Sequence, residues 1–169
     1  MSTWKVLEEF KADGRSRSIG VSNFQVAHLE RLAQETGTVP AVNQIEVHPY
    51  LDNAEVRAYC REHGIAVEAW SPIAQGGVLK DDAIVSIAES VGKSPAQVTL
   101  RWHVQRGDII FPKSVTPDRI RENYEIFDFE ALGRADAADH RARQGRAGAH
   151  RPQPRRVRLH PRLTAQQAW

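Results

Sequence analysis

A single cysteine, Cys60, and a single methionine stand in a chain of 169 residues. One thiol can close no intrachain disulfide and can build no cysteine-based zinc site. Chains without disulfides are the rule where thiols stay reduced, so the expected compartment is the cytoplasm. No apolar run approaches the roughly 18 residues that cross a bilayer, and Met1–Phe10 lacks the basic-then-apolar order of a signal peptide. No membrane partner is expected. Net charge is also scarce, at +2, but this balance hides an asymmetry. Residues 1–130 hold 14 Lys+Arg against 19 Asp+Glu, a net of −5. Residues 131–169 hold nine Arg, no Lys and two Asp, a net of +7. An acidic globular unit over 1–130 followed by a basic tail over 131–169 is the expected organisation.

What is present over the first 130 residues is an alternation of two periods. Trp4, Leu7 and Phe10 recur at helical spacing, and Ala12-Asp13-Gly14 ends that helix. Ser18–Val21 reads as a short strand. Asn23 stands where a cap would start a helix carrying Val26, Leu29 and Leu32. Ala41–Val47 is the next strand, and Asn53 opens a helix with Val56, Tyr59 and Cys60. Ile65–Trp70 is a third strand, followed by a glycine loop at Gln75-Gly76-Gly77. Helices follow from Asp81 to Val91 and from Ser94-Pro95 to Gly107, the second opened by a cap and a proline at its first turn. Asp108–Phe111 is a fourth strand, and Thr116-Pro117 caps a last helix through Tyr124. Strand and helix in alternation predict an α/β fold with a parallel sheet. The polar and proline-bearing loops after the strands are where such folds place their chemistry.

Those loops carry a resemblance. Gly20-Val21-Ser22-Asn23-Phe24, Val42–Tyr50 (VNQIEVHPY), Ala69-Trp70-Ser71-Pro72 and Pro112–Asn123 (PKSVTPDRIREN) occur in that order, each at the end of an expected strand. Together they resemble the aldo-keto reductase family. The tryptophan in Ala69-Trp70-Ser71-Pro72 is similar to the bacterial branch that includes the 2,5-diketogluconate reductases. The resemblance implies a (β/α)8 TIM barrel binding NADPH at the C-terminal ends of its strands. The four strands would be strands five to eight, so residues 1–130 would be the second half of the barrel.

The resemblance also assigns roles. Ser22, Asn23 and Gln44 match positions that hold the nicotinamide carboxamide, and Asn and Gln offer the donors and acceptors an amide requires. Read without the motif, Asn23 would only cap a helix and Gln44 would only satisfy buried backbone. Trp70 matches the ring that stacks on the nicotinamide; read alone it is a core tryptophan. Ser71, Ile73 and Gln75 match the loop over the pyrophosphate, to which Gly76-Gly77 would lend flexibility. Lys113, Ser114, Val115, Thr116 and Arg119 match the clamp on the adenosine 2′-phosphate. Lys and Arg supply charge-assisted bonds, and the following helix adds its N-terminal dipole. Glu122 and Asn123 match adenine contacts. His48 and Tyr50 match no catalytic motif and are read as structural.

The family reduces carbonyls with a tyrosine acid, a lysine and an aspartate that tune it, and a histidine that orients the substrate. No segment here matches those motifs. The expectation is an NADPH-dependent oxidoreductase of aldehydes and ketones present as a fragment without its catalytic residues, inactive alone and prone to self-associate through open barrel edges. A non-catalytic cofactor-binding remnant is the alternative. From Ala131 the pattern breaks into Arg, Ala, Gly, His and Pro. It can be read as a disordered tail, as a nucleic-acid arm, or as a shifted reading frame. Aromatic interleaving typical of strand binders is missing, so nucleic acid is disfavoured. Back-translation with free wobble bases, shifted by one base, makes Arg155–Pro161 compatible with Asp-Glu-Phe-Asp-Phe-Ile and 151–154 with Gly-Pro-Asn-Pro. That run is similar to the family's own C-terminal end, so a frameshifted tail is the preferred expectation.

Overall fold

A computed structural model of the chain describes residues 2–131. The Arg-rich segment, with its frameshift, disorder and nucleic-acid readings, lies outside the described residues from position 132 onward. The elements run α1 (Ser2–Ala12), β1 (Val21–Ser22), α2 (Val26–Glu35), β2 (Val42–Glu46), α3 (Ala54–Glu62) and β3 (Ala66–Trp70). A 3-10 helix (Ala74–Lys80), α4 (Asp82–Val91), α5 (Pro95–Gln105), β4 (Ile109–Ile110) and α6 (Pro117–Tyr124) follow among the described residues.

Several boundaries follow from local chemistry. The Asp81 carboxylate accepts from the amides of Ala83 and Ile84, opening α4, and Gly92 at φ 65° closes it. Ser94 and Gln97 form a reciprocal capping box around Pro95 at the start of α5. Three expected caps work differently. Gln25, not Asn23, occupies the cap position of α2, where its backbone N–H donates to His28 Nδ1 at 3.0 Å. Asn53 occupies the cap position of α3 in the left-handed region, but its amide donates to the Glu46 carbonyl at 2.6 Å instead. Thr116 precedes α6 without a side-chain cap bond. The outer strands are shorter than expected: the run Ser18–Val21 shares only Val21 with β1, and Asp108–Phe111 keeps only Ile109–Ile110 as β4.

The four strands form one parallel sheet in the order β1-β2-β3-β4. Parallel neighbours joined by helices are the α/β arrangement that the alternation predicts. Register places Ser22 beside Gln44, Gln44 beside Glu68, and Ala69 beside Ile110. The two faces of the sheet differ sharply. Asn43, Ile45, Val47, Val67 and Ala69 are buried under the helices. Their alternates Val42, Gln44, Glu46, Glu68 and Trp70 are only half-buried, Ala66 is exposed, and Ile109 and Phe111 expose 41% and 59%. Parallel strands are ordinarily covered on both faces; among the described residues one face is covered.

The helix-side core joins Leu29, Val56, Cys60, Val98 and Trp102 to the strands. A second cluster of Trp4, Ile19 and Leu32 seats α1 against α2. An ion cluster crosses the helix–sheet layer. Arg57 on α3 donates through Nε and Nη2 to Asp108 Oδ1, at 3.1 and 2.7 Å, with both side chains buried. Burial pushes the Asp108 carboxyl upward, but the hydrogen bond from His103 and the Arg57 guanidinium outweigh it and hold it below the usual carboxylate value. Arg106 stacks on Trp102 at 4.0 Å. Burial and the nearby Arg57 charge push its guanidinium down to about 10.

Candidate functional site

At the C-terminal ends of β1, β2 and β3 the polar side chains form a connected set. The Asn23 amide N–H donates to the Gln44 carbonyl at 2.8 Å, and Ser22 Oγ donates to the same carbonyl at 3.1 Å. Asn23 sits at φ 58°, a left-handed conformation that asparagine tolerates better than most residues. This conformation turns its side chain towards β3, where Oδ1 accepts from Trp70 Nε1 at 2.9 Å. The Gln44 amide donates to the Glu68 carboxylate across the sheet. Neither side chain therefore does the bland job open to it: Asn23 caps no helix, and Gln44 pairs with a side chain rather than with backbone.

Beside this set lies a cavity of about 440 Å³ lined by Asn23, Gln25, Glu46, Leu51, Asn53 and Trp70 among others. Gln25, Glu46, Leu51 and Asn53, and the Glu68 partner of Gln44, were not expected at the site. Period-2 alternation was the available signal for the two carboxylates, since Gln44 and Glu46, like Glu68 and Trp70, are two apart and share a strand face. His48 is buried, with Nε2 3.4 Å from Glu46 Oε1 and its ring edge-on to Tyr50. Its backbone N–H and carbonyl both pair with Leu51.

After Trp70 the chain turns tightly. Ser71, Ala74 and Gln75 adopt φ of 50°, 47° and 53°, conformations costing about 1–3 kcal/mol each for ordinary residues. The expected glycine loop falls at a kink within the 3-10 segment, where Gln75 and Gly76 are non-helical and Gly76 takes φ 90°; the turn before it closes through Ala74 N–H to Ser71 O and Gly76 N–H to Ile73 O, both 2.8 Å. Tyr50 ties the far end by donating to Asp81 at 2.9 Å. That bond and the amide of Ile84 hold the Asp81 carboxyl below its usual value, and burial together with Asp81 raises the Tyr50 phenol.

A second polar group follows β4. Ser114 Oγ accepts from the Thr116 amide at 3.2 Å, folding the turn into α6. Lys113, Val115, Thr116 and Arg119 are exposed, Val115 to 86%. Lys113 and Arg119 have no ion-pair partner among the described residues, whereas Asp118 lies 3.7 Å from Arg121. Glu122 is engaged inward, accepting from Ser94 Oγ, and its carbonyl accepts from Gln97 at 3.2 Å. Asn123 is half-buried. The two polar groups occupy the same edge of the sheet, since Trp70 and Phe111 each lie one residue beyond the Ala69–Ile110 pair. Among the described residues, no helix is long and apolar enough to cross a membrane, and no cluster of three His, Cys, Asp or Glu side chains could hold a metal ion.

The profile of the aldo/keto reductase family matches residues 1–142. This chain belongs to the aldo/keto reductase family. Among its relatives are the methylglyoxal reductase DkgA of Yersinia pestis, 51% identical over 132 residues covering 77% of this chain and 48% of the relative. The glyoxal reductase of Bacillus subtilis is 52% identical over 128 residues, 76% of this chain and 46% of the relative. A crystal structure of a Gox0644 variant in complex with NADPH superposes with a TM-score of 0.77 at 48% identity, over 80% of this chain and 50% of that one. This aldo/keto reductase chain thus spans about half the length of the relatives it matches.

Proposed function

We propose that this chain supplies the cofactor-binding second half, strands five to eight, of an NADPH-dependent aldo/keto reductase barrel that reduces small aldehydes and ketones. NADPH would supply the hydride; the residues described here would hold it. One pattern of spent and unspent hydrogen-bonding groups carries the reading. Asn23 uses Oδ1 on Trp70, which leaves Nδ2 to donate. Gln44 uses its amide nitrogen on Glu68, which leaves Oε1 to accept. One donor and one acceptor, with the Ser22 hydroxyl beside them, complement a carboxamide, which presents one acceptor and one –NH2.

Trp70, fixed by its bond to Asn23, would cover one face of the nicotinamide and leave the other to the substrate. Ser71, Ile73 and Gln75 would lie over the pyrophosphate. Lys113, Ser114, Val115, Thr116 and Arg119 would hold the 2′-phosphate, favoured by two cations without ion-pair partners and by the first turn of α6, whose cap residue makes no side-chain bond to it. Asn123 and Glu122 would border the adenine, with Glu122 set by Ser94. The glyoxal and methylglyoxal reductases among the relatives point to small dicarbonyls as the substrate class. No family catalytic motif occurs among residues 2–131, so the described portion would bind cofactor without turning over. A cytoplasmic location accords with the lone, buried Cys60.

Titration of the 169-residue chain with NADPH and with NADH, read by tryptophan fluorescence, tests this reading. Quenching that is lost in Trp70→Leu, with NADPH preferred over NADH and the preference removed by Lys113→Ala with Arg119→Ala, supports it. Absence of NADPH binding by the folded chain sinks the cofactor reading, and NADPH oxidation with methylglyoxal at an enzymatic rate sinks the claim of inactivity.

A further inference from the structure

His103 lies in α5 with its side chain fully buried. Both of its ring nitrogens meet oxygen. Nδ1 is 3.1 Å from Asp108 Oδ2, and Nε2 is 3.0 Å from the carbonyl of Pro72, 31 residues earlier in the chain. A carbonyl oxygen can only accept, so Nε2 donates. Nδ1 faces Asp108, whose other oxygen takes two bonds from Arg57. The imidazole bridges the ion cluster between helices and sheet to the turn that follows β3.

That turn carries backbone strain. Three non-glycine residues within five positions, Ser71, Ala74 and Gln75, sit at positive φ. Such a segment persists only where its surroundings over-determine it. Its outer end is tied by Tyr50 to Asp81. Its inner end, next to Trp70, is tied by the Pro72 carbonyl to His103.

We propose that His103 is the positioning residue of this site: an imidazole in contact through both ring nitrogens that fastens the Trp70–Gln75 segment to the buried Arg57–Asp108 pair and so presets the Trp70 ring and the backbone of Ser71. Its consequence for NADPH rests on the cofactor reading above; the clamp itself does not.

Two substitutions separate the clamp from general packing. His103→Gln retains an amide nitrogen about as far out as Nε2 and can keep the Pro72 bond, while losing the Nδ1 contact with Asp108. His103→Leu loses both. Amide resonances of Ser71–Gly77 and the Trp70 indole N–H, followed in nitrogen-15 spectra of the full chain, are expected to shift or broaden in His103→Leu and to stay near their wild-type positions in His103→Gln. NADPH affinity should fall about tenfold in His103→Leu and less than about threefold in His103→Gln, the scale of one loop-fixing hydrogen bond. Unchanged loop resonances in a folded His103→Leu overturn the clamp. Loop resonances that respond while the wild type binds no NADPH leave the clamp standing and remove the cofactor reading. If His103→Leu does not fold, the wild type decides: a protected Nε2–H with hydrogen-bond coupling to the Pro72 carbonyl carbon upholds the proposal, and an Nε2 without a proton overturns it.

Discussion

The indole N–H of Trp70 donates to Oδ1 of Asn23 at 2.9 Å, across 47 residues of sequence. The bond joins the end of β3 to the end of β1, spanning β2 between them. Asn23 makes this bond from a left-handed backbone conformation, φ 58°. Substituting Asn23 therefore removes two things, and the two are separable. Asn23→Ala loses the acceptor and also places alanine at φ 58°, for an expected cost of about 1–2 kcal/mol. Asn23→Gly loses only the acceptor, and about 0.5–1 kcal/mol is expected. Urea melts of the two variants check the order; an Asn23→Gly that is as destabilised as Asn23→Ala would show that the backbone conformation contributes nothing.

Gly20 stands where β1 approaches β2. A Cβ there would lie 2.4 Å from Val42 Cγ1 and 2.8 Å from the Val42 carbonyl oxygen. The side chain can turn away, but the backbone oxygen can move only by widening the strand pair. Gly20→Ala should cost about 1–3 kcal/mol, as overpacking does. Because Asn23 and Ser22 reach Gln44 through this same pairing, the Trp70 indole resonance should move as well. A melt within 0.5 kcal/mol of wild type, taken as about the scatter of neutral surface changes, would rule out the close approach.

Asp108 sets an acid limit on stability. Its folded carboxyl titrates below its unfolded counterpart, because His103 and Arg57 favour the charged form more than burial disfavours it. The contribution is therefore complete above the unfolded value of about 3.9 and is lost as pH falls from there through the depressed folded value. Asp108→Asn should remove that share of the pH dependence and cost about 3–5 kcal/mol near neutrality, since Arg57 is left buried without its carboxylate. Denaturant melts from pH 7 down to about pH 2 on both proteins check it. Equal pH slopes would place the acid sensitivity elsewhere.

Among the described residues, the outer strands β1 and β4 each have one free side, and Ile109 and Phe111 expose apolar surface on the uncovered face. Such edges pair with other chains when nothing covers them. The 169-residue chain by itself should self-associate, with light scattering and melting temperature both rising with concentration. A sharp monomeric melt independent of concentration, in calorimetry, would count against this.

Much of this chain is written locally. The α/β alternation, the parallel sheet, the Ser94-Pro95 start of α5 and the close of α4 at Gly92 all follow from periodicity and capping, because nearest-neighbour hydrogen bonds and burial periods decide them. Family membership was equally legible, since Ser22-Asn23, Asn43-Gln44, Trp70-Ser71 and Lys113-Ser114 recur at strand ends in a fixed order. Other features depend on groups distant in sequence. Asn23 has the chemistry of a cap, and only the approach of β3 shows that its oxygen belongs to Trp70. Gly76-Gly77 has the composition of a loose loop, and only the anchors at Pro72 and Tyr50 show that it is held. His103 carries no motif, because the Pro72 carbonyl that gives it a role lies 31 residues away and meets it only once the helix–sheet layer has assembled. Sequence determined which side chains stand at the strand ends. Tertiary structure decided which of their donors and acceptors are already spent, and so which remain for a ligand, because a hydrogen bond between distant residues exists only after the backbone has brought them within 3 Å or so.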